Sequence, residues 1–399
     1  TGERVSWFMV EVAEPQPGGR AGLLAILSLG NFAIGMGAFV VIGILTPLAS
    51  DLAMSNAEAG LVLTIYAIAY ALSSPLLVSM TGALPRRAVL ITGLSLFLLA
   101  AVLSAVAVSP VTLFAARIVA AAGAGIYTPV AAAVAVSCST PAQRGRALST
   151  VFFGLTLAQV LGVPIGSWAG YSYGWQAAFW IVALITSISL VGVISLVPNR
   201  VPFQPTSLAS LGKVLSAPRI MLAVSFTISF LAAIYILYTY IAPLLEARMG
   251  FGRDGVTFML TLFGLGAVVG NILGGFLTDR VGGFRTLIVL CMAQLMVLPL
   301  FSLLPFPEAL LAAAMFGWSV VGWSFMVPQQ ARLIELAPQQ KNIVLSLNSA
   351  CIYLGASLGS ALGALVISTW SIAASGVAAA IAMGAAFIHL LLSAALQRK

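Results

Sequence analysis

The sequence predicts an all-α membrane protein of twelve transmembrane helices, and three observations carry that prediction. Of its 399 residues only 7% are charged and 61% are hydrophobic, where a soluble domain carries roughly 25% charged residues. Its apolar runs are continuous, not alternating, which excludes a β-barrel. At about 20 apolar residues per crossing, the length accommodates about twelve spans joined by short loops, with no room for a separate globular domain. Enzymatic chemistry in a soluble domain is therefore not expected.

Taken in order, the apolar runs between charge or turn signals lie near 21–49, 58–80, 89–107, 111–137, 148–168, 177–197, 219–245, 255–276, 286–304, 309–331, 342–367 and 373–396. Glycine and proline recur inside them, as a helix bundle in lipid tolerates when neighbours re-satisfy freed backbone groups. With both termini on the cytoplasmic side, the inner loops and termini hold fifteen basic residues: Arg4, Arg20, Arg86, Arg87, Arg144, Arg146, Arg200, Lys213, Arg219, Arg280, Arg285, Arg332, Lys341, Arg398 and Lys399. The outer loops hold two, Arg248 and Arg253. This asymmetry orients the chain by the positive-inside rule. The net charge of +8 then faces anionic lipid, so membrane lipid is an expected partner and nucleic acid is not.

Residues 1–20 form a polar N-terminal segment in which Met9 opens the stretch leading into span one, so residues 1–8 read as tag or upstream sequence. The first apolar run is too long for a cleavable signal peptide. Cys138, Cys291 and Cys351 are odd in number and sit in or near apolar runs, a pattern expected to form neither a disulfide nor a metal site.

An internal repeat organises the chain. Gly82-Ala-Leu-Pro-Arg86-Arg87 follows span two, and Gly275-Phe-Leu-Thr-Asp279-Arg280-Val-Gly282-Gly-Phe-Arg285 follows span eight; the leading glycines stand 193 residues apart (275 − 82). Gly162, Gly166 and Gly170 in span five recur at the same offset as Gly355, Gly359 and Gly363 in span eleven. Two six-helix halves, 21–197 and 219–396, follow, joined by a proline-rich cytoplasmic connector at 198–218 and ending in a tail at 397–399. Parallel repeats of this kind place a substrate site between the halves near the midplane.

With these landmarks the chain resembles the major facilitator superfamily over essentially everything beyond residue 20. The resemblance rests on the loop signature Gly275 to Arg285, its degenerate copy Gly82 to Arg87, Arg117 in Arg117-Ile-Val-Ala-Ala-Ala-Gly123, and Gly162-Val-Pro164-Ile-Gly166. Ala33 to Gly43 and Leu161 to Gly170 are similar to the twelve-span drug and sugar efflux proteins of the proton-antiporter group, which includes sugar, purine-nucleoside and chloramphenicol exporters. What the resemblance implies is a secondary transporter with the major facilitator fold in a bacterial inner membrane, exporting a small organic solute by alternating access. Protons are the implied coupling ion, and a monomer is expected.

Candidate residues follow. Gly275, Asp279, Arg280 and Arg285, with Arg86 and Arg87 in the weaker copy, are candidates for a cytoplasmic lock made in one access state and broken in the other; their plain reading is topology. The stripe Gly162, Gly166 and Gly170, with Gly355 and Gly359, permits close helix approach. The resemblance adds that this stripe, with Pro164, is a bendable interface between the halves. Arg117 lies inside an apolar span, where a guanidinium is costly unless paired or hydrated, and the resemblance implies a part in proton coupling, with Asp51 as its carboxylate neighbour. The efflux group commonly has a glutamate where this chain has Ala38 and a histidine near Ala124, and none of the ten acidic residues falls mid-membrane. His389, in the last span, reads as structural.

Polar and aromatic residues expected to line a substrate cavity are Asn31, Tyr66, Tyr70, Tyr127, Gln159, Tyr235, Tyr238, Asn271, Gln329, Gln330 and Asn348. Such a lining, lacking a carboxylate, suits neutral or zwitterionic solutes. No phosphate-cradling Gly-Lys-Ser/Thr loop and no His/Asp/Glu cluster occurs, so no cofactor, metal or catalytic role is expected. An uncoupled facilitator and a non-transporting sensor on the same scaffold are the alternative readings.

Overall fold

A computed structural model describes residues 17–140, 143–199, 212 and 214–397. Arg4, Arg200, Lys213, Arg398, Lys399, most of the 198–218 connector and the side chains of Arg20 and Lys341 lie outside the described residues. Twelve helices are long and apolar enough to cross a membrane. They are α1 (Ala21–Asp51), α2 (Asn56–Val78), α3 (Arg86–Ala105), α4 (Pro110–Ser137), α5 (Arg146–Tyr173), α6 (Gln176–Leu196), α7 (Pro218–Met249), α8 (Arg253–Val281), α9 (Gly283–Leu303), α10 (Glu308–Leu336), α11 (Ile343–Thr369) and α12 (Ile372–Gln397). No strand occurs among the described residues. An even number of crossings puts the start of α1 and the end of α12 on one face, called here the terminal face.

The same helix pairings recur in α1–α6 and α7–α12. α1 packs on α5 and α6 as α7 packs on α11 and α12; α2–α4 and α3–α6 are matched by α8–α10 and α9–α12. The two sets meet chiefly along two seams, α2 with α11 and α5 with α8, with α1 against α7 between them.

Prolines shape the helices at a fixed distance. A proline ring conflicts with the carbonyl four residues earlier and donates no N–H. Four residues before Pro164, Pro243 and Pro328 stand Val160, Thr239 and Ser324, and at each point the helix departs from α geometry. α5 widens into a π-turn at Ala158–Gly162, closed by Val163 N–H donating to the Ala158 carbonyl. α7 is interrupted at Thr239 and Tyr240, and α10 at Ser324 and Phe325. α4 instead runs unbroken through Pro129, because the Ser74 hydroxyl of α2 donates to the freed Gly125 carbonyl at 2.8 Å.

Candidate functional site

At and beside the two seams the five cross-half hydrogen bonds among described residues all lie towards the face opposite the termini. Thr64 and Ser357 exchange hydroxyl-to-carbonyl bonds at 3.5 and 3.3 Å, and the Ser360 hydroxyl donates to the Gly60 carbonyl at 2.8 Å. Beside the other seam the Tyr171 hydroxyl of α5 donates to Glu246 of α7, and Arg253 of α8 donates to the Ser172 hydroxyl at 3.3 Å. Near the midplane the seams close on Tyr70 stacked against Tyr353 at 3.9 Å and on Gly264 against Val160. Towards the terminal face no hydrogen bond joins the halves among the described residues, so the halves are bonded to each other at one face only.

An aromatic cluster occupies the closed middle. Phe39 of α1 lies 6.1 Å from Tyr235 and 6.4 Å from Tyr353, and Tyr66 is 6.3 Å from Tyr353. The hydroxyls of Tyr66 and Tyr235 and the amide oxygen of Gln159 are buried without a hydrogen-bond partner. Polar atoms left so in an apolar interior are costly, which marks them as groups a solute can satisfy. Tyr238 packs between Phe263 (4.2 Å) and Trp318 (6.1 Å).

Other expected cavity residues tie helices within one half. Asn31 donates to the Val151 carbonyl and accepts from Thr128, both at 3.0 Å. The Tyr127 hydroxyl donates to the Leu27 carbonyl at 3.2 Å. Gln329 donates to the Ala223 carbonyl and the Thr227 hydroxyl at 2.9 and 3.0 Å, and Thr227 donates to Asn348 at 2.6 Å. Asn271 is half-buried and Gln330 exposed. The single cavity foreseen for all of these is thus corrected: Asn31, Tyr127, Gln329 and Asn348 make intra-half bonds, because a polar group in a bundle is satisfied most readily by its nearest neighbouring helix, though the Gln329 amide oxygen stays buried without a partner. Cavities of about 520 and 410 Å³ lie elsewhere, the first at the opposite face around Asp51 and Trp175, the second between α5 and α8 around Pro164, Trp168 and Thr257.

Arg117 is 1% exposed. Its guanidinium lies 4.5 Å over the Tyr66 ring and 5.7 Å from Phe179, and donates to the Ala38 carbonyl at 3.5 Å. The expected pairing with Asp51 is not made. Asp51, at the end of α1, accepts instead from Trp175 Nε1 at 2.8 Å and Gln176 at 3.0 Å. Arg117 thus has ring faces in place of a counter-ion, an arrangement known to hold a desolvated cation.

The glycine stripes correct a second expectation. A Cβ at Gly162, Gly166 or Gly170 would meet Met36, Val40 or Ile44 of α1, and one at Gly355 or Gly359 would meet Leu231, Tyr235 or the Ala232 carbonyl of α7. Both stripes face inward within their own half, because the glycines are what lets α5 close on α1 and α11 on α7. Pro164 alone of the group faces the α5–α8 seam.

The lock is unmade. Asp279 is exposed, Arg280 lies 4.2 Å over Phe276 of its own helix, and a Cβ at Gly275 would meet nothing within 4 Å. Among described residues the recorded ion pair is Arg253–Asp254 at 2.7 Å. Arg86 donates to the Gly82 carbonyl, and Arg87 to Asn199 and the Ile194 carbonyl, fastening α3 to α6. His389 of α12 accepts or donates with Ser229 at 2.7 Å and meets the Leu222 carbonyl at 2.9 Å. Cys138, Cys291 and Cys351 form no disulfide among the described residues.

Tyr353 and Phe39 were not foreseen. The signal was present: Tyr353, Ser357 and Ser360 stand at i, i+4 and i+7, a single helix face, turned away from the glycine stripe and towards α2.

A bundle of two like-packed halves, joined at seams and hydrogen-bonded to each other on one side, is the architecture of a membrane transporter. The comparisons give the family: the Major Facilitator Superfamily profile matches residues 27–342, and the chain belongs to that superfamily. It is 31% identical over 347 residues to the inner membrane transport protein YdhP of Escherichia coli K12, covering 86% of this chain and 88% of YdhP. It is 28% identical to the MFS-type transporter YbcL of Bacillus subtilis 168, covering 87% and 89%. In fold it is similar to a crystal structure of the nucleoside transporter NupG (TM-score 0.76, 13% identity, 93% and 98% covered). A bacterial homologue of the human lysosomal transporter Spinster, inward-facing and unoccupied, has a TM-score of 0.71 at 16% identity, with 96% of each chain covered. The protein is a multi-pass membrane transporter.

Proposed function

We propose that this chain exports a small organic solute, drug, sugar or nucleoside-like, across a bacterial inner membrane by alternating access. The observation that carries the reading is the one-sided seal: all cross-half hydrogen bonds among described residues lie towards the face opposite the termini. The arginine-rich terminal face is cytoplasmic by the positive-inside rule, so this is the state open to the cytoplasm, in which an exporter loads. Unpartnered phenols at Tyr66 and Tyr235 beside aromatic rings suit a planar solute with a few hydrogen-bonding groups. NupG, a nucleoside transporter by its description, fits that chemistry.

Protons are the proposed coupling ion, with Arg117 as the buried charge that responds. A second reading, an uncoupled facilitator of a neutral or zwitterionic metabolite, is favoured by the lack of any carboxylate against Arg117 among the described contacts. Growth of an efflux-deficient bacterial host across antibiotics, sugar analogues and nucleoside analogues tests export. Resistance lost in Arg117→Ala supports it; unchanged growth at confirmed membrane expression overturns it. With a substrate in hand, collapsing the pH gradient across vesicles lowers accumulation by an antiporter and leaves a facilitator unchanged.

A further inference from the structure

The interruption of α7 places one side chain where the seal is made. Tyr240 is 1% exposed and follows Thr239 at the break, with φ −110° and ψ 17°. Its hydroxyl donates to the Ser360 backbone carbonyl of α11 at 2.9 Å, a bond inside one half, and the Ser360 hydroxyl separately donates to the Gly60 carbonyl of α2 in the other half at 2.8 Å. The phenol lies in a slot that only glycine can make. A Cβ on Gly60 of α2 would stand 1.9 Å from the Tyr240 oxygen, and one on Gly363 of α11 would stand 2.6 Å from its ring. One ring on α7 is therefore held between a glycine of each half, at the end of the α2–α11 seam that is shut.

We infer that Tyr240 is the bolt of the gate at the face opposite the termini, and that Gly60 is its keeper. The inference rests on the alternating-access reading above. When the halves rock so that this face opens, α2 must leave α11 here. The phenol then loses Gly60, and Ser360 loses its bond to the Gly60 carbonyl, while contacts inside either half, the Tyr240 bond to the Ser360 carbonyl included, persist. Tyr240 thus stabilises one access state and not the other, the condition for a side chain to set their populations.

Spin labels test this by distance measurement in reconstituted protein lacking its native cysteines. Val108→Cys with Glu308→Cys spans the gated face, and Ser195→Cys with Glu335→Cys spans the terminal face; all four sites are exposed. Tyr240→Ala removes the ring that packs on Gly60 only while this face is shut, so a longer distance at the gated face and a shorter one at the terminal face should rise roughly fivefold in population. Gly60→Ala should shift both further in the same sense. Tyr127→Phe, which removes a hydroxyl bond inside one half, should leave both unchanged. A wedge, Ser357→Trp, opens the seam if the halves rock at all. If the wedge moves both distances but neither Tyr240→Ala nor Gly60→Ala does, the bolt is overturned and the rocking reading stands. If monodisperse, helical wedge protein also shows no change, both are overturned. Equal shifts in Tyr127→Phe overturn the bolt as well.

Discussion

Arg117 trades stability for a charge at depth. Its guanidinium is buried with two ring faces and one 3.5 Å carbonyl contact, and burying a charge without an opposite charge is expensive. Arg117→Leu is therefore expected to raise thermal stability, by about 1–2 kcal/mol, while transport falls; a Tm lower than wild type in detergent would contradict this. Asn31 predicts the reverse pattern. Asn31→Ala leaves the Val151 carbonyl and the Thr128 hydroxyl without their amide, at a cost of about 1–3 kcal/mol. The Tm should drop, and transport per folded molecule should keep its substrate affinity. In His389 the Leu222 carbonyl can only accept, so Nε2 carries a proton and, in the neutral ring, Nδ1 accepts from Ser229. Nitrogen NMR of labelled histidine should report that form.

At the scale of helices, backbone groups freed by proline find side chains or bend the helix. Ser74 caps the Gly125 carbonyl that Pro129 frees. Ser74→Ala should cost about 1 kcal/mol, and the cost should shrink in the Pro129→Ala background, where the N–H of residue 129 reclaims that carbonyl; a double-mutant cycle of unfolding midpoints measures it. Span count, span order and the repeat were legible in the sequence because lipid demands about 20 apolar residues per crossing and glycine spacing survives duplication. Which way a stripe faced was not. Gly162 to Gly170 has the same spacing whether it meets α1 or the other half, and only the steric partners Met36, Val40 and Ile44 decide. Arg117 was legible as a buried charge. Its partner was not, since Asp51 is satisfied by Trp175 and Gln176, residues that become its neighbours only once α6 packs.

For the molecule as a whole, the seal at one face predicts a reversible block. Thr64→Cys with Ser357→Cys places two thiols where hydroxyl and carbonyl groups now exchange bonds at 3.5 and 3.3 Å. Oxidation of the resting protein should cross-link the pair readily and abolish transport, and a reductant should restore it. Activity that persists in fully cross-linked protein would show that this seam does not part during the cycle.

The stack of Tyr70 on Tyr353 at 3.9 Å is placed as a fulcrum. At about 1.5 Å rise per residue, Gly60 lies roughly 15 Å along α2 from it, and each half is a stiff beam because glycines have drawn its helices into backbone contact. A tilt of about 20° on that arm parts the far end by about 5 Å, one helical turn. In the alternating-access cycle proposed above, leverage of this kind would let a solute no larger than a few rings, pressing on the pivot, be felt at both ends of the beam.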